Sequence, residues 1–393
     1  MFTRHAIARA AGLLCFVIAG MIAGPSPLSA QKETVLYDFC AQNLCADGNE
    51  PQSVLLIDHQ GNLYGTTFFG GAHRDGEVYR VSSDGTETVL YSFGGRTGEG
   101  VFPVGGVVAD QAGNLYGVTS AGGAYDGGVV YRLSRSGVET NLYNFAYSGT
   151  YNPYPQGDLF LDADGNLYGT TGAGGANHAG MVYELTPNGT VITLYTFGAS
   201  PTDGSDPNGG LIMDAEGNLY GTTREGGEYG NGTVFVVNPD GTEQTLHSFD
   251  KSNGADGSWP DGGLIMDEQG NLYGVTLNGG STGGGIAFSI SPSGTETILH
   301  TFGGGPTDAA GPGGKLLMDA QGNLYGTTSA GGPFNQGTVY TLQPFSILHI
   351  FGGSGDGAYP VAGLAMGTNG NLFGTTYTGG SKHLGGTVFE IAP

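Results

Sequence analysis

One heptapeptide, Gly61-Asn62-Leu63-Tyr64-Gly65-Thr66-Thr67, returns along the whole chain and limits what it can fold into more than any other feature. Its Asn recurs at Asn62, Asn114, Asn166, Asn218, Asn271, Asn323 and Asn371, with spacings of 52, 52, 52, 53, 52 and 48 residues. Seven units at this period describe a repeat architecture, in which each unit buries apolar surface against its neighbours. Hydrophobic residues alternate with period two, and turn residues fall about every ten positions, so each unit reads as four short antiparallel strands. The expected fold is all-β: a seven-bladed β-propeller with four antiparallel strands per blade.

One unit illustrates the reading. Strand a is Gly210–Met213, and it turns through Asp214-Ala215-Glu216-Gly217-Asn218 into strand b, Leu219–Thr223. Strand c is Thr233–Val237, and Asn238-Pro239-Asp240-Gly241 leads into strand d, Glu243–Phe249. The acid of the first turn (Asp58, Asp110, Asp162, Asp214, Asp267, Asp319) is expected to cap it through side-chain-to-backbone bonds. The glycine in the middle of strand b (Gly65, Gly221 and their equivalents) is expected where a neighbouring backbone approaches closely. In strand d, Val89, Tyr91 and Phe93 should share one face and Leu90 the other.

The ends decide the topology. The last unit stops after strand c, Thr387–Ile391, while Thr34–Phe39 is a near copy of strand d placed before any strand a. Pairing the two completes a seventh sheet and leaves no open edge. The short 48-residue spacing is explained by a trimmed c–d turn at Gln343-Pro344-Phe345.

The pattern GNLYGTT-x-x-GG followed by GTVY resembles the GloVer-type (Gloeo/Verruco) tandem repeats of bacterial exported "choice-of-anchor" proteins. It covers essentially everything after residue 30. The resemblance implies an exported repeat protein and supplies no catalytic residues to carry over. Members often bear C-terminal anchors, whereas this chain ends in strand c with no sorting segment.

Residues 1–30 read as a signal peptide: Arg4 and Arg9, an apolar run from Ala11 to Ala23, then Leu28-Ser29-Ala30. Residues 31–393 are expected to form one propeller domain, secreted or periplasmic, monomeric and without a membrane span. The 78 glycines follow no Gly-X-Y period, which excludes collagen. Lys and Arg number 12 against 35 Asp and Glu, a net charge of −23, or −25 once the two leader arginines are gone. Such acidity excludes nucleic acid and anionic lipid as partners. Cys40 and Cys45, C-x4-C in an exported chain, are expected to form a local disulfide.

The a–b and c–d hairpins share one face of the disc and are uniform. The b–c and d–a loops share the other and vary, so they are the candidate binding surface. Before a shared Pro the d–a series reads Glu50, Phe102, Tyr154, Asp206, Trp259, Gly311 and Tyr359. The unit-specific b–c residues include Tyr125, His178, Tyr229 and His383. Candidate ligand-binding residues are therefore Phe102, Tyr154, Trp259, Tyr359, Tyr125, His178, Tyr229 and His383, for a carbohydrate or an extracellular protein. The competing reading is that these aromatics merely cover the blade tops. Asp203, Asp256, Asp308 and Asp356 offer oxygen ligands for Ca²⁺ without the spacing of a dedicated loop. No catalytic motif is present. Two further readings stand beside binding: a calcium-dependent hydrolase or lyase needing three or more carboxylates at the channel mouth, and a purely structural envelope component. The inner strands are expected to present Leu, Ile and Met to the channel.

Overall fold

Each repeat folds as its alternation demands. In the second, strands Gly100–Ala109, Leu115–Gly122, Asp126–Leu133 and Glu139–Ala146 pair in sequence order as antiparallel neighbours. The computed structural model describes residues 33–147, 152–303, 305, 308–381 and 385–392, so the expected signal peptide and His383 lie outside the described residues. Seven such sheets, numbered here as blades 1 to 7 in chain order from Leu56, form a ring: a seven-bladed β-propeller. Among the described residues no helix is long and apolar enough to cross a membrane.

The joints between blades are aromatic. The Phe that closes strand d of one blade packs against the ring in strand c of the next, edge to face at six joints and tilted by 58° at Phe302–Tyr340. This holds for Phe39 on Tyr79, Phe93 on Tyr131, Phe145 on Tyr183, Phe197 on Phe235, Phe249 on Phe288, Phe302 on Tyr340 and Phe351 on Phe389. Centroids lie 4.8 to 5.3 Å apart, the range aromatic pairs prefer. Most of these rings are fully buried. The mid-strand glycine explains how they fit, and it corrects the expectation of a close backbone. Gly65 pairs in register with Tyr79, and a Cβ on it would stand 2.5 Å from the Tyr79 hydroxyl oxygen. On Gly221 a Cβ would stand 2.7 Å from Cζ of Phe235. The glycine is there for a side chain: its bare backbone lets the strand-c ring lie across strand b.

Strand d also departs from simple alternation. Its ladder slips by one residue in every blade, at Leu36, Leu90, Leu142, Leu194, Leu246, Leu299 and Leu348. The bulge turns Leu90 and Tyr91 to the same cluster, against Val107 and Tyr131 of blade 2, so they do not take opposite faces.

Closure follows the expected pairing. Glu33–Asp38 is strand d of blade 7, with Glu33 opposite Ile391 and Asp38 opposite Thr387. Across this seam the Thr375 hydroxyl donates to the Ser53 carbonyl at 3.2 Å, as Thr66 does to Gly105 and Thr222 to Gly262 within the continuous chain. The seam is thus built like any other joint. Cys40 and Cys45 are joined in a disulfide beside it. In blade 6 only Gln343 and Pro344 separate Thr338–Leu342 from Phe345–Ile350, which accounts for the short repeat.

Two outcomes are expected. Gly221→Ala should destabilise by about 1–3 kcal/mol, the cost of overpacking a rigid core, while Phe235→Ala in the same chain should recover part of the loss by vacating the contact; urea titration reads both. Deleting residues 31–39 should lower the melting temperature of the whole ring and provoke aggregation, because it removes Phe39 and bares a strand edge.

Candidate functional site

The hairpin face is built as expected. Asp58 Oδ1 accepts the N–H groups of Gln60 and Asn62 at 2.8 and 2.9 Å, while Oδ2 accepts from the Asn62 amide at 2.7 Å and the Tyr64 hydroxyl at 3.1 Å. Burial alone would push this carboxyl up, but the four donors together hold it below the usual range. Asp110, Asp162, Asp214, Asp267 and Asp319 repeat the arrangement. This face is not featureless, however: a cleft of about 680 Å³ opens between blades 2 and 3, lined by Tyr116, Arg132, Leu142, Asp162 and Pro187. Two of its three carboxylates, Asp110 and Asp162, are already engaged inside their own turns; the third is Asp164.

On the opposite face, the residues before the shared Pro stand at the beginning of the inner strand rather than in free loops. Pro103 pairs with Thr119, Pro155 with Thr171 and Pro207 with Thr223. All seven preceding residues take the left-handed backbone region, with φ of 60° at Glu50, 58° at Phe102, 48° at Tyr154, 56° at Asp206, 59° at Trp259, 62° at Gly311 and 58° at Tyr359. Six of them are not glycine, and each such conformation costs on the order of 1 kcal/mol unless its surroundings enforce it. Here they do. Phe102 donates its N–H to Asp75, Asp206 to Ala179, Trp259 to Asn231 and Tyr359 to Gln336, always a carbonyl of the preceding blade, at 2.8 to 3.0 Å.

The candidate side chains meet different fates. Phe102 stacks on Phe68 of blade 1 at 5.3 Å and is half-buried, so it belongs to blade packing. Trp259 lies under the Arg224 guanidinium of blade 4, 5.3 Å from the ring centroid. Tyr359, Tyr229 and Tyr125 are exposed on separate blades, and the Tyr125 carbonyl accepts the Tyr147 N–H at 3.1 Å. Among the described candidates, Tyr154 and His178 are brought together: both line a cleft of about 430 Å³ between blades 3 and 4. Gln156, Ser205, Asp206 and Glu225 complete that cleft. Burial holds the Asp206 carboxyl above the usual range, with Glu225 and Asp261 adding to the shift and Arg224 opposing it. Asp206 belongs to the same pre-Pro series as Tyr154; its role there escapes a search for aromatics alone.

The central channel, about 260 Å³, corrects another expectation. Its walls are the residues just after the shared Pro, among them Gln52, Val104, Asn208, Asp261, Asp158 and Lys315. The Leu, Ile and Met of strand a pack between blades instead, as Leu264 and Met266 do. Asp158 accepts the Gly106 N–H at 2.6 Å, and Asp261 accepts from the Asn208 amide. Burial lowers the Lys315 ammonium below its ordinary range, with Asp158 pulling it back up.

The loop acids considered for Ca²⁺ sit between blades and serve other groups. Asp203 Oδ2 accepts from the Tyr195 hydroxyl and the Ala199 N–H, both at 2.9 Å, and Asp256 Oδ2 from the Asp250 N–H at 2.7 Å. Among the described residues, the sets of three donors close enough to share an ion are Glu33, His349 and Asp356, and His247, Asp256 and Glu296. Each contains one of the four acids, beside a histidine and a glutamate.

One blade joint carries a buried acid without a partner. Glu77 is fully buried and neither of its carboxylate oxygens has a hydrogen-bond partner. Burial, with Glu87 and Asp47 nearby, pushes it up to about 9. Other blades place Thr233, Thr338 or Thr387 there. The folded chain thus keeps a proton that the unfolded chain releases near the ordinary Glu value, so stability falls as pH rises towards 9, by up to about 1.4 kcal/mol per pH unit. Glu77→Thr should raise the melting temperature, and the gain over the parent should widen from about pH 6 to about pH 8.5; a gain independent of pH in thermal scans would contradict this.

A closed ring of seven near-identical four-stranded sheets, with one face that breaks the repeat, defines a tandem-repeat β-propeller. The Gloeobacter/Verrucomicrobia repeat matches residues 26–215, 154–340 and 206–393, and the chain belongs to that family. No curated protein matches it. By structure it is similar to the extracellular domain of the hybrid two-component system BT3049 from B. thetaiotaomicron, with a TM-score of 0.58 and 13% identity over 92% of this chain and 41% of that one. It is also similar to the extracellular domain of the one-component system BT4673 from the same organism, with 0.56 and 14% over 91% and 40%. The chain therefore spans about two fifths of those domains, and likeness at this identity is one of fold.

Proposed function

We propose that this protein is an exported, non-catalytic propeller that binds a neutral carbohydrate in the cleft between blades 3 and 4. The observation that carries the reading is the meeting of Tyr154 and His178 in one cleft with Gln156, Ser205, Asp206 and Glu225. The half-exposed Tyr154 ring offers an apolar platform, and the amide, hydroxyl and carboxyl groups around it match the alternating donors and acceptors of a sugar. Export is supported by the leader-like segment 1–30 and by the likeness in fold to extracellular domains. A hydrolase or lyase at the channel mouth would need three or more carboxylates on the axis. The described channel offers Asp158 and Asp261, each already bonded to a neighbour.

A glycan array followed by calorimetry tests the reading. Tyr154→Ala should weaken binding of the selected glycan at least tenfold, about 1.4 kcal/mol, while Trp259→Ala on the next blade joint leaves it unchanged. Equal binding by both variants would remove the cleft from consideration. Absence of any saturable glycan would favour a structural role.

A further inference from the structure

Two residues before its closing Phe, strand d carries Tyr37, Tyr91, Tyr143, Tyr195, His247, His300 and His349 in turn around the ring. Tyr37 donates its phenol to Asp47 at 2.8 Å and Tyr195 to Asp203 at 2.9 Å, each the acid of the following loop, whereas the loop after Tyr143 carries no acid. Histidine changes the chemistry of that place. His349 Nε2 stands 3.3 Å from Asp356 Oδ2 and 3.6 Å from Glu33 Oε2; His247 Nε2 stands 3.3 Å from Asp256 Oδ2 and 3.7 Å from Glu296 Oε1.

These separations are long for charge-assisted hydrogen bonds, which close to about 2.7–2.9 Å. They fit the edge of a coordination tetrahedron, since metal–ligand bonds of about 2.0–2.1 Å set neighbouring donors about 3.3–3.5 Å apart. The carboxylates are also short of partners. The Glu33 side chain is only 6% exposed, and neither its Oε1 nor Asp356 Oδ1 has a hydrogen-bond partner; Glu296 Oε1 is likewise unpartnered. Each set therefore holds two carboxylates against one imidazole in a chain whose cations are few, an excess of negative charge that a divalent ion would balance.

We propose that Glu33–His349–Asp356 and His247–Asp256–Glu296 are two divalent transition-metal sites, one at the joint of blades 6 and 7 and one at the joint of blades 4 and 5. One imidazole with two carboxylates selects Zn²⁺ or Co²⁺ over Ca²⁺, which takes six or more oxygens. The partly exposed imidazole edge, 12% at His349, leaves an entry and a position for water. The ring also supplies its own negative control. At His300 the trimmed turn of blade 6 puts Phe345 where five blades have Glu and blade 3 has Val191, and its ring stacks on the imidazole 3.6 Å away, tilted by only 10°. That joint has lost a carboxylate and is not a site.

The first site also ties the closing strand to the ring, since Glu33 begins it while His349 and Asp356 come from blade 6 and the loop that follows. Untagged protein, stripped with EDTA, is titrated with Co²⁺ by visible absorption and with Zn²⁺ by calorimetry. The parent should take up two equivalents, His247→Tyr and His349→Tyr one each, the double variant none and His300→Tyr two. Tyr is what the ring already uses at Tyr37 and Tyr195, so folding should survive, and circular dichroism of the stripped variants checks it. Should His349→Tyr fail to fold, Glu33→Gln provides the same reading through at least tenfold weaker Zn²⁺ at one site. No Zn²⁺ uptake by the parent, equal uptake by the double variant, or Ca²⁺ bound as tightly as Zn²⁺ would each overturn the proposal.

Discussion

Everything else in this ring rests on one contact: a strand-d Phe against the aromatic ring of strand c in the next blade. It recurs at all seven joints, including the one where Phe39, from the beginning of the chain, meets Tyr79. A sheet in a propeller is wedge-shaped and cannot bury its own faces, so the joint supplies what a single core supplies elsewhere. The glycine beneath the ring is a condition of that contact. A methyl group at Gly65 or Gly221 would lift the ring and with it the neighbouring blade.

Because the joints are uniform, individuality is confined to their two ends. Near the channel the residues after the shared Pro change from Gln and Asn to Asp158, Asp261 and Lys315. Towards the outer rim the strand-d position is Tyr in four blades and His in the other three, with acids beside several of them. On the loop face, the pre-Pro residue of one blade meets a side chain of the blade before: Phe102 meets Phe68, and Trp259 meets Arg224. Tyr154 is the member of that series whose cleft holds several unlike polar groups.

Most of the architecture was legible in the sequence, and for a physical reason. A turn written Asp-x-x-Gly-Asn in six of the seven units announces itself through backbone chemistry local to a few residues, and the orphan strand Thr34–Phe39 had one edge to complete. What escaped was set by contacts a repeat or more away. The slip at Leu90 depends on how strand d twists against its neighbour, and alternation alone assigns the residue to the wrong side. Gly65 announces a close approach but not that Tyr79 makes it. Of the eight proposed ligand residues, the sequence could not tell that Phe102 would be absorbed into packing while Tyr154 and His178 converge, because blade-to-blade neighbours lie far apart in the chain.

The pairing of Glu33 with Ile391 has a consequence for the order of events in making the protein. The first strand to emerge is the last to find its partner, so until nearly all the chain has arrived six blades stand as an open arc. Contacts of such sequence separation form late and slowly. During that interval both rims of the gap present unpaired strand edges. A chain exported in extended form would cross the membrane before this clasp could close, and the ring would complete itself only on the far side.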